Sequence, residues 1–197
     1  MLRNALSTDD FLWPNGVVPI QIHSDLDAQR DLIVSALNHF HEETCIRFKQ
    51  RTDEPDFINI IADEGCYSSI GRTGGEQSIS LGDGCLCKGT IIHELMHALG
   101  FYHEQNRSDR DEYVYVIYEK ILEKARHEFN KLPAEANRLF TDYDYESIMQ
   151  YSSNAFSVDG SDTMVPIKSG VVLTHPCYKG GLSSFDKLKI SKLYKCQ

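Results

Sequence analysis

Apolar and polar residues alternate in short stretches of the first half of the chain, and a period of two predicts β-strands. Val17–Ile22 places three branched residues on one face, although Pro19 suits the edge of a sheet. Phe57–Ile61 is a short apolar run, and residues 77–81 alternate again after a glycine-rich turn region at residues 65–75. We predict three strands here.

Two stretches of the same half have the spacing of an amphipathic α-helix instead. The first begins at Ser24, a suitable N-cap with Asp27 three residues later, and keeps apolar side chains on one face as far as residue 44. The second covers residues 90–99. It ends at Gly100, the residue type best suited to a left-handed C-cap.

The second half is less regular. Residues 118–129 repeat apolar side chains with a period of 3.6 and predict a helix that Pro133 closes off. A long irregular stretch follows until Ser183 and Asp186, which have the spacing of a capping box and predict a final helix. Strands and helices in the first half and loops in the second indicate an α+β fold.

Composition and charge exclude several classes of protein. The chain has 197 residues, of which 41% are hydrophobic, enough for one or two domains with their own core. It contains no apolar run of about 18 residues, so we expect no membrane span. With 29 acidic residues against 20 Lys and Arg, and no basic cluster, neither nucleic acid nor an anionic membrane is an expected partner.

Six cysteines indicate disulfides and an oxidising compartment. A zinc cluster is the alternative, but the closest pair, Cys85 and Cys87, is one residue tighter than C-x-x-C. Six cysteines permit fifteen pairings, and the spacing selects none of them. We expect a secreted protein whose signal peptide is not part of this sequence, since residues 1–3 have no apolar region.

Residues 93–103 carry the pattern H-E-x-x-H-x-x-G-x-x-H. His93 and His97 are one helical turn apart, so both imidazoles can reach one ion. Gly100 permits the sharp turn that brings His103 back as a third ligand. Three imidazoles leave zinc an open position for water, as in catalytic sites, and Glu94 can meet that water without being a ligand.

The alternative interpretation is a buried helix whose histidines are satisfied within the core. Five fixed positions match by chance about once in three million windows, at roughly one in twenty per residue. This match also lies on a predicted helix that ends in glycine, the context that the chemistry requires. The metal site is therefore the favoured interpretation.

Nearly the whole chain resembles the astacin branch of the metzincin metalloproteases. The resemblance rests on the eleven-residue motif with its continuation to residue 111, on Ser-Ile-Met-Gln-Tyr at residues 147–151, and on segments 11–13, 44–48, 65–72 and 193–196. It implies one catalytic domain over residues 4–197. A subdomain of about residues 4–103, with a mixed twisted sheet and two long helices, would face a loop-rich subdomain of about 104–197 across the active-site cleft.

The same resemblance implies a role for each residue of the site. One zinc ion per chain would be bound by His93, His97 and His103. Glu94 would be the general base, Met149 the Met-turn beneath the metal, and Tyr151 both an additional ligand and a donor to the oxyanion. Gln150 stands where the family commonly has histidine, so that histidine's role does not transfer.

Substrate contacts are also implied. Gln77, Ser78, Ile79 and Ser80 resemble the family's edge strand, to which an extended substrate adds by main-chain hydrogen bonds. Pro176 would lie in the wall of the pocket just beyond the cut. Residues 174–177 contain no arginine, so we expect no strong preference for an acidic residue there.

By resemblance, Cys45 pairs with Cys196 and Cys66 with Cys85. Two cysteines are left over, and we hypothesise that they form a third bond, Cys87 to Cys177. This bond would tie the start of the active-site helix to the pocket wall.

Enzymes of this family are made as zymogens, and their freed N-terminus is buried near the glutamate that follows the third histidine, here Glu104. The resemblance puts the mature start at Asn4, after Arg3, where a trypsin-like protease could cut. Residues 1–3 would then be a propeptide remnant or derive from expression. The alternative for Glu104 is a plain surface salt bridge.

Other polar residues are expected to have ordinary roles. His39 and His41 should be solvated. Asn106 begins a glycosylation sequon, but it follows the third ligand in a segment that we expect to be packed.

The sequence thus predicts a secreted, monomeric zinc endopeptidase acting on protein or peptide substrates. Two alternatives remain: an inactive binding protein that retains zinc, and a zinc hydrolase for non-peptide substrates. Glu94 argues against the first, and Tyr151 with the predicted edge strand argues against the second.

Overall fold

The computed structural model describes residues 5–136 and 138–196, so Asn4, the predicted mature start, lies outside the described residues. Seven strands and three α-helices follow in chain order. They are β1 (Val17–Ile22), α1 (Arg30–Glu43), β2 (Arg47–Gln50), β3 (Phe57–Ile61), β4 (Cys66–Ser68), β5 (Glu76–Leu81), α2 (Lys88–Ala98), β6 (Val114–Val116), β7 (Met164–Pro166) and α3 (Ser184–Tyr194).

A five-stranded mixed sheet forms the first half, in the order β2-β1-β3-β5-β4. Four strands are parallel, and β4 alone runs antiparallel to its neighbour. The prediction that Pro19 marks an edge is wrong, because β1 lies between β2 and β3. Proline is tolerated there since the pairing with β3 starts only at Ile20.

Helices α1 and α2 pack against each other and help to cover the sheet. The predicted start of the first helix is wrong: Ser24–Gln29 is a 3₁₀ segment, and the α-helix begins at Arg30. His23, not Ser24, caps this segment, because its ring nitrogen accepts the N–H of Asp25. The predicted helix over residues 90–99 is confirmed as α2, and Gly100 follows it with φ +103°.

The helix predicted over residues 118–129 does not form as an α-helix. Two 3₁₀ segments, Tyr118–Lys120 and Glu123–Phe129, occupy this stretch. Between them Ile121 makes a β-bridge to Ser157, and this backbone pairing interrupts the helix. The predicted capping box before α3 is confirmed.

Apolar side chains form one large core and smaller clusters. The large core lies between the sheet, α1 and α2, and it also takes in Ile148, Met149 and two residues of α3. A separate cluster around Val114 and Met164 lies beside the two-stranded sheet β6–β7. The α+β architecture with a loop-rich second half therefore matches the prediction.

All six cysteines form disulfides, in the three predicted pairings: Cys45–Cys196, Cys66–Cys85 and Cys87–Cys177. The first joins residues 151 positions apart and contributes up to about 5 kcal/mol in the chain-entropy model. The third connects the residue before α2 to the segment that contains Pro176. The alternative of a cysteine zinc cluster is thereby excluded.

Among the described residues, no helix combines the length and the apolar character needed to cross a lipid bilayer.

Candidate metal centre and cleft

Helix α2 and the turn after it bring three histidines together. His93 and His97 lie on one face of the buried helix. Gly100 turns the chain with a positive φ, and a Cβ at this position would lie 2.8 Å from the Leu6 side chain. His103 then returns to the helix, and the three ligand atoms lie within 4.8 Å of one another.

Each of these rings presents its Nε2 atom to the same point. The Nε2 of His103 lies 2.9 Å from that of His97 and 3.2 Å from that of His93. A tetrahedral ion with bonds of about 2.0 to 2.1 Å would separate its ligand nitrogens by about 3.3 Å. The spacing therefore fits a zinc ion between the rings.

The opposite ring nitrogens fix the tautomers. His93 Nδ1 lies 2.8 Å from the carbonyl oxygen of Ile148, and His97 Nδ1 lies 2.8 Å from that of Phe101. Because a carbonyl oxygen only accepts, both Nδ1 atoms must carry the proton, which leaves each Nε2 with a bare lone pair. Bare lone pairs this close repel one another unless a cation lies between them.

His103 is held in the same way by Asn106, whose Oδ1 lies 3.2 Å from its Nδ1. The amide of Asn106 donates to the carbonyls of Glu128 and Asn130 at 2.7 and 2.9 Å, which orients its oxygen toward His103. A glycan on this nitrogen would displace both bonds, which supports the expectation that the sequon is not used. The sequence gives no signal for the ligand-orienting role of Asn106.

Burial keeps the rings neutral, which is the form that binds a metal. It lowers the pKa of His93 to about 3 and that of His97 to about 4. The pKa of His103 is also lowered by burial and by the other two rings.

Glu94 is buried beside this cluster. Among the described residues its Oε2 has no hydrogen-bond partner, and burial raises the pKa of Glu94 to about 8. A cation bound nearby would favour the carboxylate instead. The unpartnered oxygen suits a water molecule at the metal, so the donor set and its surroundings both fit zinc.

Tyr151 packs beside the third histidine, with 4.3 Å between the ring centres of Tyr151 and His103. Phe129 and Phe156 contact the same tyrosine ring. Burial raises the pKa of Tyr151, so its hydroxyl stays protonated and can donate. Phe156, which the sequence does not single out, has a φ of +55°, and such strain in a bulky residue is typical of functional sites.

Met149 is buried in the turn that supplies the Ile148 carbonyl to His93. The neighbouring Gln150 is fully buried and accepts a hydrogen bond from Tyr143 at 2.5 Å, while its amide donates to the carbonyl of Tyr151 at 3.0 Å. Gln150 thus holds the backbone of the turn.

A cleft of about 840 Å³ contains the centre. Its lining comes from both halves of the chain and includes Cys66–Ser68, Tyr151, Phe156 and Pro176. Gly89 of α2 lies directly below Pro176, since a Cβ there would be 1.9 Å from the Pro176 carbonyl oxygen.

The prediction that residues 77–80 form the edge strand is wrong. They belong to β5, an inner strand that pairs with β3 through residues 76–80 and with β4 through residues 79–81. Gln77 and Ser80 are buried, and Gln77 donates to the carbonyl of Gly71. Ser78 and Ile79 lie in the same inner strand. The edge strand on this side of the sheet is β4, which lies within the region predicted to be a glycine-rich turn.

Glu104 is fully buried, so the alternative of a surface salt bridge is wrong. Its carboxylate pairs with Arg107 and with Lys189, both at 2.8 Å. Ala5 is buried and forms a β-bridge with Phe101, three positions before Glu104 in the chain.

A family model described as Astacin, a family of peptidases, matches residues 5–195 of this chain. Astacin-like metalloprotease toxin 1 of Loxosceles intermedia is 42% identical over 98% of the chain and 75% of that protein. Zinc metalloproteinase nas-4 of Caenorhabditis elegans is 42% identical over 98% of the chain and only 62% of that protein, so the chain spans less than two thirds of this relative.

High choriolytic enzyme 1 of Oryzias latipes has a solved structure, described as that of a hatching enzyme zinc-protease. It is 41% identical with a TM-score of 0.91, and the match covers 98% of this chain and 100% of that one. The convergent histidines, the cleft and these likenesses lead to one conclusion: the chain belongs to the astacin family and is a zinc metalloendopeptidase.

Proposed function

We propose that the protein is a secreted endopeptidase that binds one zinc ion through His93, His97 and His103. The observation that carries this proposal is the set of three Nε2 lone pairs directed at one point, beside an unpartnered oxygen of Glu94. When bound, zinc acidifies a water molecule and polarises the scissile carbonyl.

The surrounding residues would move protons and hold charge. Oε2 of Glu94 takes a proton from the attacking water and passes it to the nitrogen of the leaving amine. The hydroxyl of Tyr151 donates to the oxygen that becomes negative as the carbonyl is attacked. Without substrate, Tyr151 would serve as an additional ligand to the zinc ion. Met149 provides the turn beneath the metal and fixes His93 through the carbonyl of Ile148.

An extended peptide would bind as an additional strand along β4, the edge strand whose residues line the cleft. Backbone hydrogen bonds select extended chains with little sequence preference. Side-chain preference comes from the walls, where Pro176 borders the pocket beyond the cut and Phe156 packs beside Tyr151.

Residues 4–197 would form a single monomeric catalytic domain, with subdomains that meet at the cleft after His103. Three disulfides support secretion. Activation would follow a cut by a trypsin-like protease after Arg3, and the new terminus at Asn4 would enter the interior near Glu104. The buried start at Ala5 and the buried charges around Glu104 support this route.

The decisive experiment compares the parent with Glu94→Ala in zinc content and in cleavage of a peptide library. We expect one zinc per chain in both proteins and a kcat about 10²- to 10⁴-fold lower in the variant. Glu119→Ala, which removes an exposed carboxylate, should cleave like the parent. A Glu94→Ala variant that binds zinc and cleaves as fast as the parent would contradict the mechanism. A parent that binds zinc without cleaving any peptide would favour the inactive binding protein.

A further inference from the structure

Lys179 has an amine that is directed inward toward the turn of the metal centre. It lies just after the 3₁₀ segment Pro176–Tyr178, whose proline lines the cleft. Its Nζ donates to the carbonyl oxygen of Ser147 at 2.6 Å and to that of Gln150 at 3.2 Å. The two carbonyls belong to the first and last residues of the turn at residues 147–150, so the Lys179 amine contacts both ends of that turn.

This turn touches the metal centre through its backbone. The carbonyl of Ile148 is the acceptor for Nδ1 of His93. Tyr151, the next residue after the turn, packs on His103. A shift of the turn would therefore reorient the first ligand and move the tyrosine.

Asp186 holds the same turn from the other side. Its carboxylate accepts from the hydroxyl of Ser147 at 2.6 Å and from the N–H of Ile148 at 2.8 Å. A cation and an anion thus fix the donors and acceptors of one short segment. Asp186 also completes the capping box of α3, so its substitution would disturb folding as well.

The Lys179 ammonium is half-buried, and it loses part of its hydration where it donates to the two carbonyls. Burial lowers the pKa of Lys179 to about 8, against the opposing effect of Asp186 and other nearby carboxylates. An apolar side chain of similar length would avoid this cost. The two carbonyl oxygens of the turn are the partners that the Lys179 ammonium contacts directly.

We propose that Lys179 is a positioning residue of the metal centre. It holds the 147–150 turn, and through the Ile148 carbonyl it sets the orientation and basicity of His93. The inference rests on the proposed zinc site and adds a residue that contacts neither metal nor substrate.

The test measures the zinc dissociation constant of Lys179→Met by competition with a chromogenic chelator, together with the absorption spectrum of the Co²⁺-loaded protein. We expect zinc to bind about 10- to 100-fold more weakly than to the parent, which is the usual effect of losing an outer contact to a metal ligand. The Co²⁺ spectrum should change, and kcat should fall while KM for a short peptide stays within about twofold of the parent.

Lys192→Met is the matched control, because this exposed amine donates to the carbonyl of Phe140, away from the turn. It should leave zinc affinity and the Co²⁺ spectrum unchanged. Lys179→Gln, uncharged and shorter, should bind zinc with an affinity between those of the parent and Lys179→Met. If Lys179→Met fails to fold, Lys179→Gln is used for the test in its place.

Parental zinc affinity and an unchanged Co²⁺ spectrum in the folded Lys179 variant would overturn the inference, even if the zinc-free variant melted at a lower temperature. The proposed function fails in a different way, namely when the parent itself neither binds zinc nor cleaves peptides.

Discussion

The two sides of the metal centre are held by different kinds of structure. His93 and His97 are placed by a regular helix within an apolar core. The loop-rich side has no comparable element: His103 is held by Asn106, and the turn at residues 147–150 is held by Lys179 and Asp186. Helical geometry positions ligands on one side, and hydrogen bonds from polar side chains position them on the other.

This difference predicts which substitutions should disturb each side of the metal centre. A helix makes its own backbone hydrogen bonds, so the placement of His93 and His97 does not depend on a single polar side chain. A loop fixed by buried charges fails when one charge is removed, because the partner loses its compensation in a medium of low dielectric constant. Three substitutions test this contrast, beginning with the largest expected effect.

Glu104→Gln should be the most damaging, because it removes the carboxylate that lies between two buried cations, Arg107 and Lys189. We expect the free energy of unfolding at pH 7 to fall by about 3–5 kcal/mol. Denaturant unfolding with the disulfides intact measures this, with Asp27→Asn at the exposed ion pair with Arg30 as the control, for which a loss of at most about 1 kcal/mol is expected.

The stability difference between the parent and Glu104→Gln should also depend on pH. Burial raises the pKa of Glu104, but Lys189 and Arg107 outweigh it and hold the pKa below the ordinary 4.5. The stabilisation is therefore complete above about pH 4.5 and is lost as the pH falls through the lower folded pKa. The stability gap between parent and Glu104→Gln should narrow in acid. A gap that is small at pH 7, or constant down to about pH 3, would contradict the role of this charge.

Gly100→Ala tests the helical side at the one point where it turns toward the loops. Alanine would be strained at a φ of +103°, and its Cβ would lie 2.8 Å from Leu6. We expect a loss of about 1–3 kcal/mol in unfolding free energy. Gly180→Ala, at an open position, should be neutral. Equal stability of the two variants would show that the turn is more adaptable than its geometry indicates.

Asn106→Ala should have the smallest effect on stability and a selective effect on the metal. Nδ1 of His103 loses its acceptor, so zinc affinity should drop by about 10- to 100-fold, measured by chelator competition. Asn38→Ala, at an exposed amide on α1, should bind zinc like the parent. If Asn106→Ala kept parental affinity, the loop side would not depend on side-chain hydrogen bonds.

The contrast also explains which features the sequence could predict. Helix α2, its histidines and Glu94 follow from spacing alone, because helical periodicity fixes which residues share a face. The strand β4 escapes prediction because it has only three residues and lies among glycines that indicate a turn. The resemblance therefore assigns the edge to residues 77–80, one strand further inside the sheet than β4.

Polar contacts between distant segments leave no periodic signal, so they could not be predicted. His41 accepts the N–H of Phe48, and His39 accepts that of Leu182 across 143 residues, so the expectation that both are solvated is wrong. Lys179 and Asp186 belong to the same class. The wrong helix prediction for residues 118–129 has the opposite cause. The helical periodicity is present in the sequence, but the β-bridge between Ile121 and Ser157 interrupts the helix.

The bond between Cys87 and Cys177 has a consequence for where the enzyme can work. It joins the start of α2 to the wall that carries Pro176, and the tight packing over Gly89 depends on that wall staying in place. In a reducing environment this disulfide would open, and the wall would be held by noncovalent contacts alone. The shape of the substrate site is thereby coupled to the redox state of its surroundings.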